Sequence, residues 1–155
     1  MRLRHLPLSV LLLSMVLSCA KGGPLTSEDL SQAQARWGAK GPTSYQLVLE
    51  ITGDNVETGL FDIEVKQGKI VKASRNGNNL ATTDSFYTVP GLFHFLDNEL
   101  ELGKEPKRYF GAAPNARIYM RAHFDPSLGY PTRYLRTITE TRPNITVEVK
   151  SFTPR

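Results

Sequence analysis

Two periods of hydrophobicity alternate along the chain. Leu30, Ala33 and Trp37 fall at helical spacing behind a capping serine, Ser27, and two acids, Glu28 and Asp29, where a helix start favours negative charge. Gly38 predicts the stop, giving a first helix of about ten residues. From Tyr45 the period falls to two. Tyr45, Leu47, Leu49 and Ile51 alternate with Gln46, Val48 and Glu50, and Phe61, Ile63 and Val65 alternate with Asp62, Glu64 and Lys66. Both stretches read as half-buried strands. Gln67-Gly68 is a tight-turn dipeptide leading by hairpin into a third strand from Lys69, and Asn76-Gly77-Asn78-Asn79 ends it.

Helical spacing returns at Thr88-Val89-Pro90, where proline fits a first turn because its missing N–H has no partner to lose. Val89, Leu92, Phe93, Leu96 and Leu100 form one apolar stripe, and Gly103 closes the helix. Three further strands are expected at Arg117 to Phe124, Thr132 to Thr139 and Ile145 to Phe152, the last two separated by Arg142-Pro143-Asn144. The expected fold is α+β with the order αβββαβββ: one antiparallel sheet with two helices packed on one face.

The N-terminus has a different character. Arg2 and Arg4 precede an apolar run from Leu6 to Leu17, long enough for a signal-peptide core and too short for a bilayer span of about 20 residues. Val16-Leu17-Ser18-Cys19 resembles the lipobox of bacterial lipoproteins, which implies cleavage before Cys19 and makes Cys19 the acylated first residue of the mature chain. Cys19 is the single cysteine, so no intramolecular disulfide competes for it. The alternative is an ordinary leader or an apolar start that happens to end at a cysteine. Ala20, in place of an aspartate, points to the outer membrane if the host has two. The expected division is a signal peptide at 1–18, a lipidated tether at 19–26 containing Lys21-Gly22-Gly23-Pro24, and a single domain at 27–155 facing the periplasm.

Charge then loses weight as a clue. The formal +4 shrinks when Arg2 and Arg4 leave with the signal, so 17 basic residues stand against 15 acidic ones. Nucleic acid is not an expected partner.

Trp37, Ser44-Tyr45, Thr88-Val89-Pro90-Gly91-Leu92-Phe93 and Phe124-Asp125-Pro126-Ser127-Leu128-Gly129-Tyr130-Pro131-Thr132 together resemble a bacterial family of secreted and lipoprotein domains of unknown function, the DUF6174 type. The resemblance spans about residues 37 to 150 and implies an envelope location without an activity. The chain departs from that pattern twice. Thr52 to Asn55 stand where members often carry two cysteines, and Arg136-Thr137 where an acid is common.

Catalytic and metal chemistry finds little support. His123 and Asp125 share a strand face, but two ligands fall short of a zinc site, and His94 between Phe93 and Phe95 reads as a core-edge residue. Ser127 lacks the glycine two residues earlier that a nucleophile elbow needs, and the carboxylates at Asp62 and Glu64 are scattered on solvated strand positions. No catalytic residue, metal or cofactor is assigned. Asp125, Gly129 and Tyr130 form a candidate loop, read first as hairpin geometry and alternatively as a ligand-presenting turn.

A candidate binding face is more informative. With Ile118, Met120, Ala122 and Phe124 inward, Arg117, Tyr119, Arg121 and His123 line the outer face, with Tyr134 and Arg136 beside them and Lys150 and Phe152 in the same outward phase. Arginine and tyrosine favour interfaces, although an ordinary solvated sheet face also carries basic residues. Lys104 to Arg108 adds a basic loop suited to anionic headgroups. The expected function is a non-catalytic, lipid-anchored envelope module contacting a protein or an anionic surface component. A small-molecule or lipid carrier with a cavity between helices and sheet is the alternative, and an enzyme with an unrecognised site the remote one.

Overall fold

The computed structural model describes residues 23–54, 56–105, 108, 110–140 and 144–155. The expected signal peptide, Cys19, the first part of the tether, and Arg142-Pro143 lie outside the described residues. The domain is mixed α+β and mostly sheet: α1 Ser27–Lys40, β1 Tyr45–Gly53, β2 Gly59–Lys66, β3 Lys69–Arg75, β4 Asn78–Asn79, a 3₁₀ turn at Ser85–Tyr87, α2 Val89–Leu102, β5 Ile118–Phe124, β6 Pro131–Ile138 and β7 Ile145–Pro154. The order differs from αβββαβββ by the two-residue β4 and the 3₁₀ turn. Asn76 and Gly77 take φ of 51° and 79°, a mirror-image turn that reverses β3 into β4 where an end to pairing was expected.

All strand pairs are antiparallel, in the order β4-β3-β2-β1-β7-β6-β5. Two meanders, β1 to β4 and β5 to β7, therefore join along β1 and β7, leaving β5 at one edge. Alternation in β1 puts Leu47 opposite Ile63 and Phe152, and Leu49 opposite Phe61 and Val149. These side chains meet Leu30 and Ala33 of α1 and Val89, Leu92, Phe93 and Leu96 of α2 in one continuous core. Burying each large aliphatic or aromatic side chain contributes roughly 1.5–3 kcal/mol.

Polar groups at the element ends are satisfied locally. Thr26, rather than Ser27, caps α1: its Oγ1 accepts from the Asp29 N–H at 3.1 Å and donates to the Asp29 carboxylate at 2.6 Å. Gly38 sits inside α1, which runs on to a cap at Gly41. Thr88 caps α2 as its sequence suggests, accepting from the Gly91 N–H. The buried Val89 N–H donates to the Tyr45 hydroxyl at 3.0 Å. Burial in turn pushes the Tyr45 phenol above its ordinary pKa.

Candidate functional site

The two faces of the sheet carry different chemistry, and β5 and β6 show it most clearly. Ile118, Met120 and Ala122 pair with Ile138, Arg136 and Tyr134, so these six residues share the inner face. The outer row runs from Arg117, just before β5, through Tyr119 and Arg121, all exposed, to His123, half-buried at its end. This much matches the expected strand phase.

Tyr134 and Arg136 do not lie beside that row. Both are buried on the inner face, Arg136 5% exposed, opposite Val147 and Ile145 of β7. Their partner is Glu99 of α2, itself 4% exposed. Arg136 Nη1 donates to the two Glu99 oxygens at 2.5 and 2.6 Å, and the Tyr134 hydroxyl donates to Glu99 Oε2 at 2.6 Å. The Arg136 guanidinium also stacks 4.3 Å from the Phe110 ring centre, while its Nε has no hydrogen-bond partner among the described residues. Burial and the adjacent carboxylate hold the Tyr134 phenol far above its ordinary pKa. A charge turns inward here because an opposite charge waits for it. Glu99, three residues after Leu96, falls on the apolar stripe of α2, and a lone acid there is the signal that would have exposed the pair.

β7 brings a second correction. A bulge between its pairings with Val48 and Leu49 inserts one residue and flips the phase. Lys150 stays outward and bonds Glu50 and Glu148, but Phe152 turns inward against Trp37 and Tyr45.

The outer residue that takes the place of Tyr134 and Arg136 is Arg133, exposed and opposite His123. Among the described residues, no ion pair takes up Arg117, Arg121 or Arg133. Of the outer-face acids, Glu148 on β7 stands opposite Arg133 and bonds Lys150, and the others lie further along the sheet, Glu50 with Lys150, Glu64 with Lys66 and Arg155, Asp62 with Gln46. Among the described residues, the cations without an ion pair thus gather on β6 and along the β5 edge around Tyr119, which is 45% exposed.

The candidate loop serves as a joint. Asp125 Oδ1 accepts from the Ser127 and Leu128 N–H groups at 2.9 and 2.6 Å. Gly129 takes φ +88° directly against α1, where a Cβ would overlap the Ala33 carbonyl oxygen. Tyr130 stacks on Phe152 at 4.4 Å and meets Trp37 edge-on. His123 and Asp125 gain no third ligand: among the described residues no group of three His, Cys, Asp or Glu is placed to hold a metal ion. Arg108, in the basic loop after α2, pairs with Glu105, and Lys104 with Glu101.

Space is limited. Between α2 and the β6–β7 pair a gap lined by Leu92, Phe95 and Tyr134 holds about 10 Å³, room for one water at most. A larger cleft of about 240 Å³ opens where Gly23 to Leu25 pass between α1 and β5, lined by Asp29, Gln32, Arg36 and Phe124.

The pre-domain segment is not wholly free. The Leu25 N–H donates to the Met120 carbonyl at 2.9 Å, Pro24 bridges Arg121, and the Leu25 side chain enters the core. Part of the expected flexible tether thus pairs with the edge of β5.

The segments singled out in the sequence converge in space: Trp37 packs edge-on against Tyr45, Tyr45 holds the start of α2 at Val89, and Phe93 stacks on Phe124. A family model described as "Family of unknown function (DUF6174)" matches residues 29–106, α1 through α2, half of the chain. The match includes Trp37, Ser44-Tyr45 and Thr88 to Phe93 and stops before Phe124 to Thr132. No curated protein and no solved structure matches the chain. The chain belongs to the DUF6174 family.

Proposed function

We propose that this family member is a non-catalytic module of the bacterial cell envelope, anchored by acyl chains on Cys19, that makes its contact through the outer face of β5 and β6. In this reading both helices cover the inner face and leave the outer one open. The observation that carries it is the group of three arginines, Arg117, Arg121 and Arg133, that make no ion pair among the described residues and flank exposed Tyr119. The other conspicuous polar groups, Glu99, Arg136, Tyr134 and Asp125, are spent on internal bonds. Guanidinium groups suit carboxylate and phosphate oxygens, so the partner presents anionic groups. A photo-crosslinking residue in place of Tyr119 in living cells should give an adduct that disappears when Arg121→Glu is added and the fold is retained. An adduct indifferent to that charge reversal would sink the reading.

The cleft beside Gly23 favours a second reading, a small-molecule carrier. Arg36 borders it, its Nε buried and without a hydrogen-bond partner among the described residues, which leaves a donor for an anionic ligand. Its volume is below the roughly 300–1,000 Å³ of ordinary ligand sites. Native mass spectrometry of the purified protein tests it by the presence or absence of a co-purifying ligand.

A further inference from the structure

Covalent length ties the basic face to the anchor. Cys19 precedes Pro24 by five residues, and an extended chain spans at most about 3.6 Å per residue, so the two Cα atoms stand no more than roughly 18 Å apart. Pro24 is fixed against Arg121 on β5. Whatever membrane holds Cys19 therefore comes within about two nanometres of the β5 edge, where Arg117 and Arg121 stand. A surface potential decays over a Debye length of about 8 Å at physiological salt, so placement at this edge matters, and the same arginines on β3 would be shielded.

We infer that the outer face of β5 and β6 lies against the anionic phospholipid headgroups of the membrane that anchors the chain. Arg117 just before β5 and Arg121 within it are four residues apart, and Arg133 stands opposite His123, so the cations form a row of roughly 20 Å at about 3.4 Å per residue. Tyr119 sits between them with an exposed ring, apolar in body and polar at its tip, which suits the headgroup layer. Glu148 on β7, opposite Arg133, and Glu50 on β1 bond Lys150, and Glu64 on β2 bonds Lys66 and Arg155, so three cations answer these three acids. Each arginine near a negative leaflet strengthens contact about fivefold, and three together on the order of 100-fold.

This inference rests on the anchor in the proposed function, and the test separates the two. The full chain, made with its leader, is extracted from membranes, its N-terminal peptide is weighed, and the protein is reconstituted into vesicles of phosphatidylcholine alone or mixed with phosphatidylglycerol. Single Tyr119→Cys and Val71→Cys variants are then labelled with an impermeant maleimide; Val71 is 53% exposed on β3, near the far edge of the sheet. Labelling at position 119 should slow about tenfold on the anionic vesicles only, recover in high salt, and recover when Arg117, Arg121 and Arg133 are changed to glutamate, while position 71 stays unchanged. Equal rates at 119 on both vesicle types would overturn the inference while leaving the anchor standing. Protection in native membranes but not in vesicles would overturn it in favour of a protein partner. An unacylated Cys19 in the weighed peptide would remove the anchor and the inference with it.

Discussion

Glu99→Leu should be among the most damaging substitutions in the domain. It deletes the carboxylate that Arg136 meets at 2.5 and 2.6 Å and that accepts the Tyr134 hydroxyl, leaving a guanidinium 5% exposed with no counter-charge. Removing one member of a buried ion pair costs roughly 3–5 kcal/mol, because the stranded charge keeps its desolvation penalty. The orphaned tyrosine hydroxyl adds about 1 kcal/mol. Against a total stability of about 5–15 kcal/mol, this is a loss of roughly 10–20 °C in Tm for a domain of this size. Replacing the whole group gives the opposite expectation. Glu99→Leu combined with Arg136→Met and Tyr134→Phe removes all three polar partners together, and such apolar replacements are often neutral or stabilising. Urea titrations followed by circular dichroism, at low and high salt, measure both. A single-mutant loss below about 1 kcal/mol, or a triple mutant worse than the single, would refute the reasoning. So would a strong salt dependence, since a pair this buried is little screened.

Other outcomes follow from the tyrosines and the loop. Burial first, then the hydrogen bond to Glu57, pushes the Tyr87 phenol up to about 12, and Tyr45, Tyr130 and Tyr134 are also raised. A raised folded-state pKa means that the folded chain holds protons the unfolded chain releases. Their contribution is intact below pH 10 and lost as pH climbs from about 10 towards 12, so absorbance titration should show these phenols ionising together with unfolding. Ionisation of all tyrosines near pH 10 with the fold intact would contradict the burial. Gly129→Ala should cost well over the roughly 1–2 kcal/mol of a left-handed alanine, because its Cβ also strikes α1, whereas Gly68→Ala, at φ +75° in open space, should cost only that amount. Equal losses in chemical denaturation would deny the close packing of the β5–β6 loop on α1.

The parts of this fold that were legible in the sequence are those set by local period. β1 and β2 alternate cleanly because one face is core and the other solvent, and the Gln67-Gly68 turn and the Thr88 cap follow from their own residues. The misread parts depend on distant partners. Tyr134 and Arg136 share parity with the buried Ile138, but their charge and hydroxyl pointed outward until Glu99, 35 and 37 residues away, was placed between them. The bulge at Lys150 turns Phe152 inward without any local mark. Pairing of Pro24 and Leu25 with β5 depends on a strand about 95 residues later, so it too left no periodic trace. At the candidate site, the phase of Arg117, Tyr119 and Arg121 was readable from β5 alone, and Arg133 emerged only once the parity of β6 was known.

The most direct test of the account is the mass of the N-terminal peptide of the protein extracted from bacterial membranes. The account predicts a chain that begins at Cys19, carrying a thioether-linked diacylglyceryl group, with the first eighteen residues gone. A mature chain beginning elsewhere, or one with a free Cys19 thiol, would contradict it.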